Sequence, residues 1–127
     1  MFLAEHVTTL PDGLFNVLNG GLKILYRPQF PATLGAVLVA IIDFPEDYVS
    51  NEEVPIEVLI ASLDDAEVFG RAEGTVAMPR NPELDDRLAA LTLALNLYHI
   101  QLSRPGVFKL SASLAGQPPQ VLLFQVR

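Results

Sequence analysis

Short stretches of alternating apolar and polar residues, cut at frequent intervals by Gly, Pro, Asn and Asp, run the length of this chain. That spacing predicts strands, because a strand shows one face at every second residue and ends where the backbone must reverse. Pro11-Asp12-Gly13 predicts a turn between strands over 2–10 and 14–18. Asn19-Gly20-Gly21 supplies residues tolerant of positive φ ahead of a strand over 22–27. Pro28 and Pro31 predict a rigid connection into a strand over 33–43, followed by a polar loop over 44–53. Residues 54–63 are apolar at Val54, Ile56, Val58 and Ile60, and Asp64-Asp65-Ala66 predicts a hairpin turn into a strand over 68–78. Arg104-Pro105-Gly106 opens a last pair, 107–114 and 121–126, joined through Ala115-Gly116-Gln117-Pro118-Pro119.

Residues 81–103 carry two competing patterns. Asn81-Pro82-Glu83, with Asp85 and Asp86, has the N-cap, first-turn proline and acids of a helix start. Leu84, Leu88, Leu91, Leu95 and Leu102 fit one helical stripe, but Leu93, Leu97 and Ile100 then face the opposite side. Over the centre, strand alternation does better: Leu91, Leu93, Leu95 and Leu97 point one way, and Thr92, Ala94 and Asn96 the other. The expectation is a short helical turn near 82–87 followed by one or two strands, with a longer helix as the alternative.

About seven to nine short strands with frequent turns imply an all-β sandwich or barrel. The opening MFLAEHVTTLPDGLFNVLNGG has an initial Met, an apolar residue, Ala with an acid, a spacer, Gly, an apolar strand and a Gly-Gly pair. Near the other end, Arg104-Pro105-Gly106-Val107-Phe108 is followed by Gly116. In these features the chain resembles a family of small bacterial, chiefly actinobacterial, proteins of unknown function. The resemblance implies an immunoglobulin-like β-sandwich and brings no activity with it.

Composition narrows the classes. The 127 residues predict a single domain, 1–127. Half of the residues are apolar and 18% are charged, which excludes the low-hydrophobicity profile of disorder. Without cysteine there is no thiol nucleophile, disulfide or cysteine-bound zinc. A net charge of −7 argues against a nucleic-acid partner, which calls for a basic surface. The apolar run from Ala32 to Phe44 falls short of the ~20 residues that span a membrane. The start has no basic region of a signal peptide, so the expected location is the cytoplasm. Mean hydropathy is positive, which favours apolar surface covered by a second copy or another protein.

Candidate chemistry is sparse. His6 and His99 are the only histidines, and nothing in the sequence joins them to each other or to Glu5. Ser50, Ser62, Ser103, Ser111 and Ser113 lack the nucleophile-elbow context, and Asn19-Gly20-Gly21 precedes a strand rather than a phosphate-binding helix. The acids are more suggestive. Residues 43–86 hold 13 acids against Arg71 and Arg80, a net of −11, while the remainder has two acids and six bases, a net of +4. Asp43, Glu46, Asp47, Glu52 and Glu53 group around one loop and Asp64, Asp65 and Glu67 around another. Such loops can be a solvated face, a patch for a basic partner, or oxygen ligands for Ca²⁺. Asp64 with Asp65 is the one pair that could act as acid and base in a small enzyme.

No catalytic, cofactor-binding or metal-binding residue is assigned, and no cofactor is expected. The expected function is a non-enzymatic binding or assembly module, acting as a homodimer or on a protein partner. The alternatives are a Ca²⁺-dependent ligand-binding sandwich and a small carboxylate-based enzyme. Residues 91–102 and 121–126 lack acids, so they are the expected dimer surface: two copies of the acidic segment would repel at a two-fold contact.

Overall fold

The computed structural model describes residues 1–10, 14–43, 53–77, 90–114 and 117–127. Among these residues are eleven strands and no helix: β1 (Phe2–Thr9), β2 (Phe15–Leu22), β3 (Ile24–Leu25), β4 (Ala32–Thr33), β5 (Val37–Asp43), β6 (Val54–Ser62), β7 (Val68–Val76), β8 (Ala90–Asn96), β9 (Gln101–Leu102), β10 (Gly106–Leu114) and β11 (Gln120–Val126). Eight have seven residues or more, within the expected seven to nine, and three are two-residue pairings. The helical turn expected near 82–87 lies outside the described residues. From Ala90 onward the strand reading holds, because β8 is tied along its length to β5, with Leu95 facing Leu38 and Leu93 facing Ala40.

One sheet has the order β2-β1-β5-β8 and the other β3-β11-β10-β6-β7, while β4 pairs with β9. Among the described strands, only β3 runs parallel to its neighbour, β11. In immunoglobulin terms β1, β5 and β8 take the places of strands A, B and E, and β6, β7, β10 and β11 those of C, C′, F and G. The sheets are held face to face by burial. Leu3, Leu38 and Leu97 come from one side and Val58, Ile60, Phe108, Leu110, Phe124 and Val126 from the other, all in one apolar cluster. Phe108 sits at its centre, stacked on Phe124 with ring centroids 5.6 Å apart and met edge-on by Phe69 at 4.9 Å.

Two boundaries differ from the expectation. Asn19-Gly20-Gly21 does not separate two strands; β2 runs straight across it. Leu3 faces Leu22 while Ala4 faces Gly20, so Gly21 is the extra residue of a bulge. Its φ of 83° is the reason glycine stands there, since a Cβ is strained in that region. The strand expected over 33–43 is broken between Thr33 and Val37, where Gly35 has φ 62°. The Arg27 guanidinium fills the break, donating to the Thr33 carbonyl at 3.0 Å and the Leu34 carbonyl at 2.5 Å. A Cβ on Gly35 would lie 2.9 Å from that guanidinium.

The pairing of β1 is also uneven. It meets β5 only from Phe2 to Ala4, whereas it meets β2 as far as Thr9. Among the described residues, the outer part of β1–β2 is therefore a two-stranded ribbon extending past β5.

Candidate functional site

The Asp64-Asp65 hairpin forms where the sequence placed it, but its carboxylates have separate partners. Asp64 Oδ1 accepts from the Ser62 hydroxyl at 2.6 Å and from the Ala66 amide at 3.1 Å. The hydroxyl first, and then the amide, hold the Asp64 carboxyl below its ordinary range by stabilising the anion. Asp65, at φ 60°, is bound through Oδ2 by Lys109 Nζ at 2.5 Å. Glu67 pairs with Arg104 at 3.2 Å, and Arg104 also lies over the Phe69 ring. These contacts fasten the turn to the body of the sandwich. They do not assemble Asp64 and Asp65 into one acid–base pair.

The histidines stand apart in role. His6 is exposed on β1 opposite Leu18, and His99 is exposed in the bend after β8. Next to His99, the Tyr98 hydroxyl donates to the Glu5 carbonyl, and Glu5 itself accepts from Asn19 at 2.8 Å. Among the described residues no three of His, Asp and Glu converge as a metal site would require. Glu46, Asp47, Glu52 and Ser50, named from the sequence, lie outside those residues. Ser62 caps the hairpin turn, Ser103 is exposed, and Ser111 and Ser113 are half-buried on β10.

At the opposite end from this hairpin the sheets part. A recess of about 670 Å³ opens between Ala40 and Ile42 of β5 and Val54, Ile56, Ala112 and Leu114 of β6 and β10. It shares Ile56, Ser113 and Leu114 with a shallower hollow lined by Glu57 and Glu73. Those two glutamates face each other directly across β6 and β7. The sequence reading missed this juxtaposition, although its signal was present. A hairpin centred on Asp65 pairs residues whose numbers sum to 130, which brings 57 opposite 73.

Among the described residues, several exposed apolar side chains share the outer face of the five-stranded sheet. Phe108 and Leu110 of β10 point into the core, so Val107, Lys109 and Ser111 point outward. Opposite them on β11 stand Gln125, Leu123 and Val121, and beyond Gln125 lies Ile24. Val107 is 41% exposed, Val121 54%, Leu123 51% and Ile24 42%. Val68 of β7 joins the same face opposite Ala61. Lys23 and Arg127 are exposed at the β3–β11 edge, Lys23 one residue before the outward-facing Ile24 and so on the opposite side of the strand. The β6–β7 side carries Glu57, Asp64, Asp65, Glu67 and Glu73, of which Asp65 is paired with Lys109, Glu67 with Arg104 and Glu73 with Arg71.

The two segments expected to form one dimer surface do not share a sheet. β8 and β9, from residues 91–102, belong to the four-stranded sheet and the small β4–β9 pair, whereas β11 belongs to the five-stranded sheet. Strand order separated them, and sequence spacing has no access to strand order. No helix of the described residues is long and apolar enough to cross a membrane.

No curated protein and no solved structure matches this chain. Residues 1–127, however, match a family of unknown function, DUF6941, in full, and the chain therefore belongs to that family.

Proposed function

We propose that this protein is a non-enzymatic binding and assembly module that works through the outer face of its five-stranded sheet. The observation that carries this reading is the run of Ile24, Val107, Leu123 and Val121, each more than two-fifths exposed on adjacent strands. Scattered exposed apolar residues are ordinary; a contiguous set on a regular face is the mark of a contact surface. The hairpin carboxylates weigh against the carboxylate-enzyme alternative. Asp64 and Asp65 are engaged by Ser62 and Lys109 rather than held together in a cleft.

The test is site-specific photo-crosslinking in cells. A crosslinker replacing Val121 or Leu123 is expected to capture protein, whether a second copy or a different chain. One replacing the exposed Thr8 of β1 is expected to capture none. Absence of protein adducts at both 121 and 123 would remove the basis for the reading.

A further inference from the structure

We propose that the outer edge of β2 pairs, antiparallel, with the same edge of a second copy, about a two-fold axis at Asn16. The two four-stranded sheets then join into one. This contact is separate from the face described above, which stays available to another chain. β2 ends its sheet, and among the described residues nothing is bonded to its outer side. Sheet edges are ordinarily blunted by charge, proline, shortness or cover. β3 is two residues long, β7 carries Arg71 and Glu73, and β8 is half-buried at Leu91, Thr92, Leu93 and Leu95. Residues 13–22, which include β2, hold no charged side chain and no proline, and β2 is exposed from Asn16 to Gly21.

The backbone sets where a partner strand can bond. The Leu10 amide donates to the Leu14 carbonyl at 2.7 Å, and Thr9, Thr8, Val7 and His6 then face Phe15, Asn16, Val17 and Leu18 in turn. Bonded and non-bonded pairs alternate along an antiparallel ladder. Asn16 and Leu18 therefore direct their backbone groups to β1, while the amides and carbonyls of Phe15 and Val17 point outward. Beyond Leu18 the extended geometry ends, with Asn19 at φ 49° and Gly21 at φ 83°. A partner strand thus has the segment Leu14–Leu18 to lie along.

The side chains choose that partner. Leu14-Phe15-Asn16-Val17-Leu18 has the same pattern in both directions: two apolar residues, an amide, two apolar residues. Antiparallel pairing centred on Asn16 sets Leu14 against the partner's Leu18 and Phe15 against the partner's Val17, and each of these pairs occurs twice. Phe15 and Val17 are also the positions whose backbone groups point outward, so the same register makes the bonds. Centring on Phe15 would set Leu14 against an asparagine. Centring on Val17 would do the same to Leu18 and place Phe15 against Asn19. Leu14 and Leu18, 64% and 57% exposed, stand on one face, with Phe15 and Val17 on the other, so both faces of the join are apolar. Glu5 lies a strand away and accepts from Asn19 at 2.8 Å. A chain of net charge −7 thereby meets its copy along a strand that carries no charge.

The chain has no cysteine, so one introduced thiol reports one position. In the proposed join the two Cα atoms at position 16 are about 4.5 Å apart, within disulfide reach. Those at position 18 are roughly 14 Å apart. Under mild oxidation Asn16→Cys is expected to give a covalent dimer and Leu18→Cys alone none, while a mixture of Leu14→Cys with Leu18→Cys gives one. Thr8, on β1, stays about 10 Å from the partner strand, so the crosslinking control above holds. Sedimentation velocity is expected to show the wild-type chain dimerising as concentration rises. Val17→Pro removes an amide that β1 does not use, and is expected to weaken the dimer about tenfold or more. Melting curves check that it folds; if it does not, Leu18→Lys, at an exposed position, is expected to give the same loss. A wild-type monomer at every concentration, or a dimer untouched by a folded Val17→Pro, would overturn the proposal. Covalent dimers from Leu18→Cys but not from Asn16→Cys would overturn the register and the pairing with it. A dimer lost in Leu123→Lys and kept in Val17→Pro would overturn this edge and leave the five-stranded face standing. Asn16→Cys dimers without adducts at 121 and 123 would support the edge and remove the reading of that face.

Discussion

The two ends of this sandwich are built on the same strands and are finished differently. At the end bearing the 63–67 turn the interior is filled. Leu34, Leu97, Ile100 and Leu102 lie between the sheets, each under 5% exposed, with Phe69 and Phe108 beside them. The backbone there is tied by the Leu34–Ile100, Leu97–Ala36 and Ile100–Leu97 hydrogen bonds. Side chains add the Ser62, Asp64, Lys109 and Arg104 contacts. At the other end Ala40, Ile42, Val54, Ile56, Ala112 and Leu114 line a recess instead of meeting. The strands of both ends are paired. Strand pairing alone therefore does not make a packed core.

The largest expected effect probes the filled end. Phe108→Ala removes a fully buried ring stacked on one aromatic and capped by another, and is expected to cost about 3–5 kcal/mol. Ile42→Ala, at the half-buried rim of the recess, is expected to cost about half as much or less. Denaturant unfolding measures both. Equal losses would mean that the recess is as tightly filled in solution as the other end.

Two glycines of β7 sharpen the comparison. A Cβ at Gly70 would lie 2.9 Å from Cγ1 and Cδ1 of Ile100, which is itself buried and cannot swing away. Gly70→Ala is expected to destabilise by about 1–3 kcal/mol through overpacking. At Gly74, toward the open end, the nearest atom is Ile56 Cγ2 at 4.0 Å. Gly74→Ala is expected to be neutral or to stabilise by up to about 1 kcal/mol, since alanine has less unfolded freedom to lose. Opposite signs in thermal melts would bear out the contrast, and a costly Gly74→Ala would break it.

A third comparison lies within a single strand. β10 is bonded on both sides from Phe108 to Ala112, to β6 and β11, and to β6 alone at Ser113 and Leu114. Its amides therefore differ both in pairing and in what packs around them. Hydrogen exchange is expected to be slowest at Phe108 and Leu110, requiring global unfolding, and faster at Ser113 and Leu114 beside the recess. Uniform protection along β10 would show that both ends open together.

The smallest effect concerns Asp64. Its carboxyl lies below 3.8 in the folded state, so it contributes stability above that pH and loses it as pH falls through the folded value. Asp64→Asn removes the contribution. The melting-temperature gap between wild type and variant is expected to be constant above about pH 5 and to shrink below pH 3.8. A gap that widens on acidification would reverse the sign and exclude the Ser62 and Ala66 bonds as its cause.

The local features were readable because they depend on neighbours in sequence. Asp64-Asp65-Ala66 marked a hairpin, and the hairpin formed with Asp65 at positive φ. The alternation from Leu91 to Leu97 marked a strand despite the helical preference of leucine, and β8 spans Ala90–Asn96. Asn19-Gly20-Gly21 was correctly placed at a backbone irregularity but wrongly taken as a strand boundary. Positive φ serves a bulge as well as a turn, and the choice depends on whether a partner strand continues past it. Here β1 continues, so β2 does as well.

The sequence by itself determined the class of this protein: all-β, single-sheet hairpins at identified turns, an acidic middle, no thiol chemistry. Each of these follows from side-chain alternation, backbone permission at Gly and Asn, or counting. Only the tertiary structure decided which strands became neighbours. It placed residues 91–102 and 121–126 in different sheets and set Ile24, Val107, Leu123 and Val121 together on one exposed face. Those outcomes depend on burying one face of every strand at once. That requirement is satisfied by the whole set of strands together, and no local stretch of residues can express it.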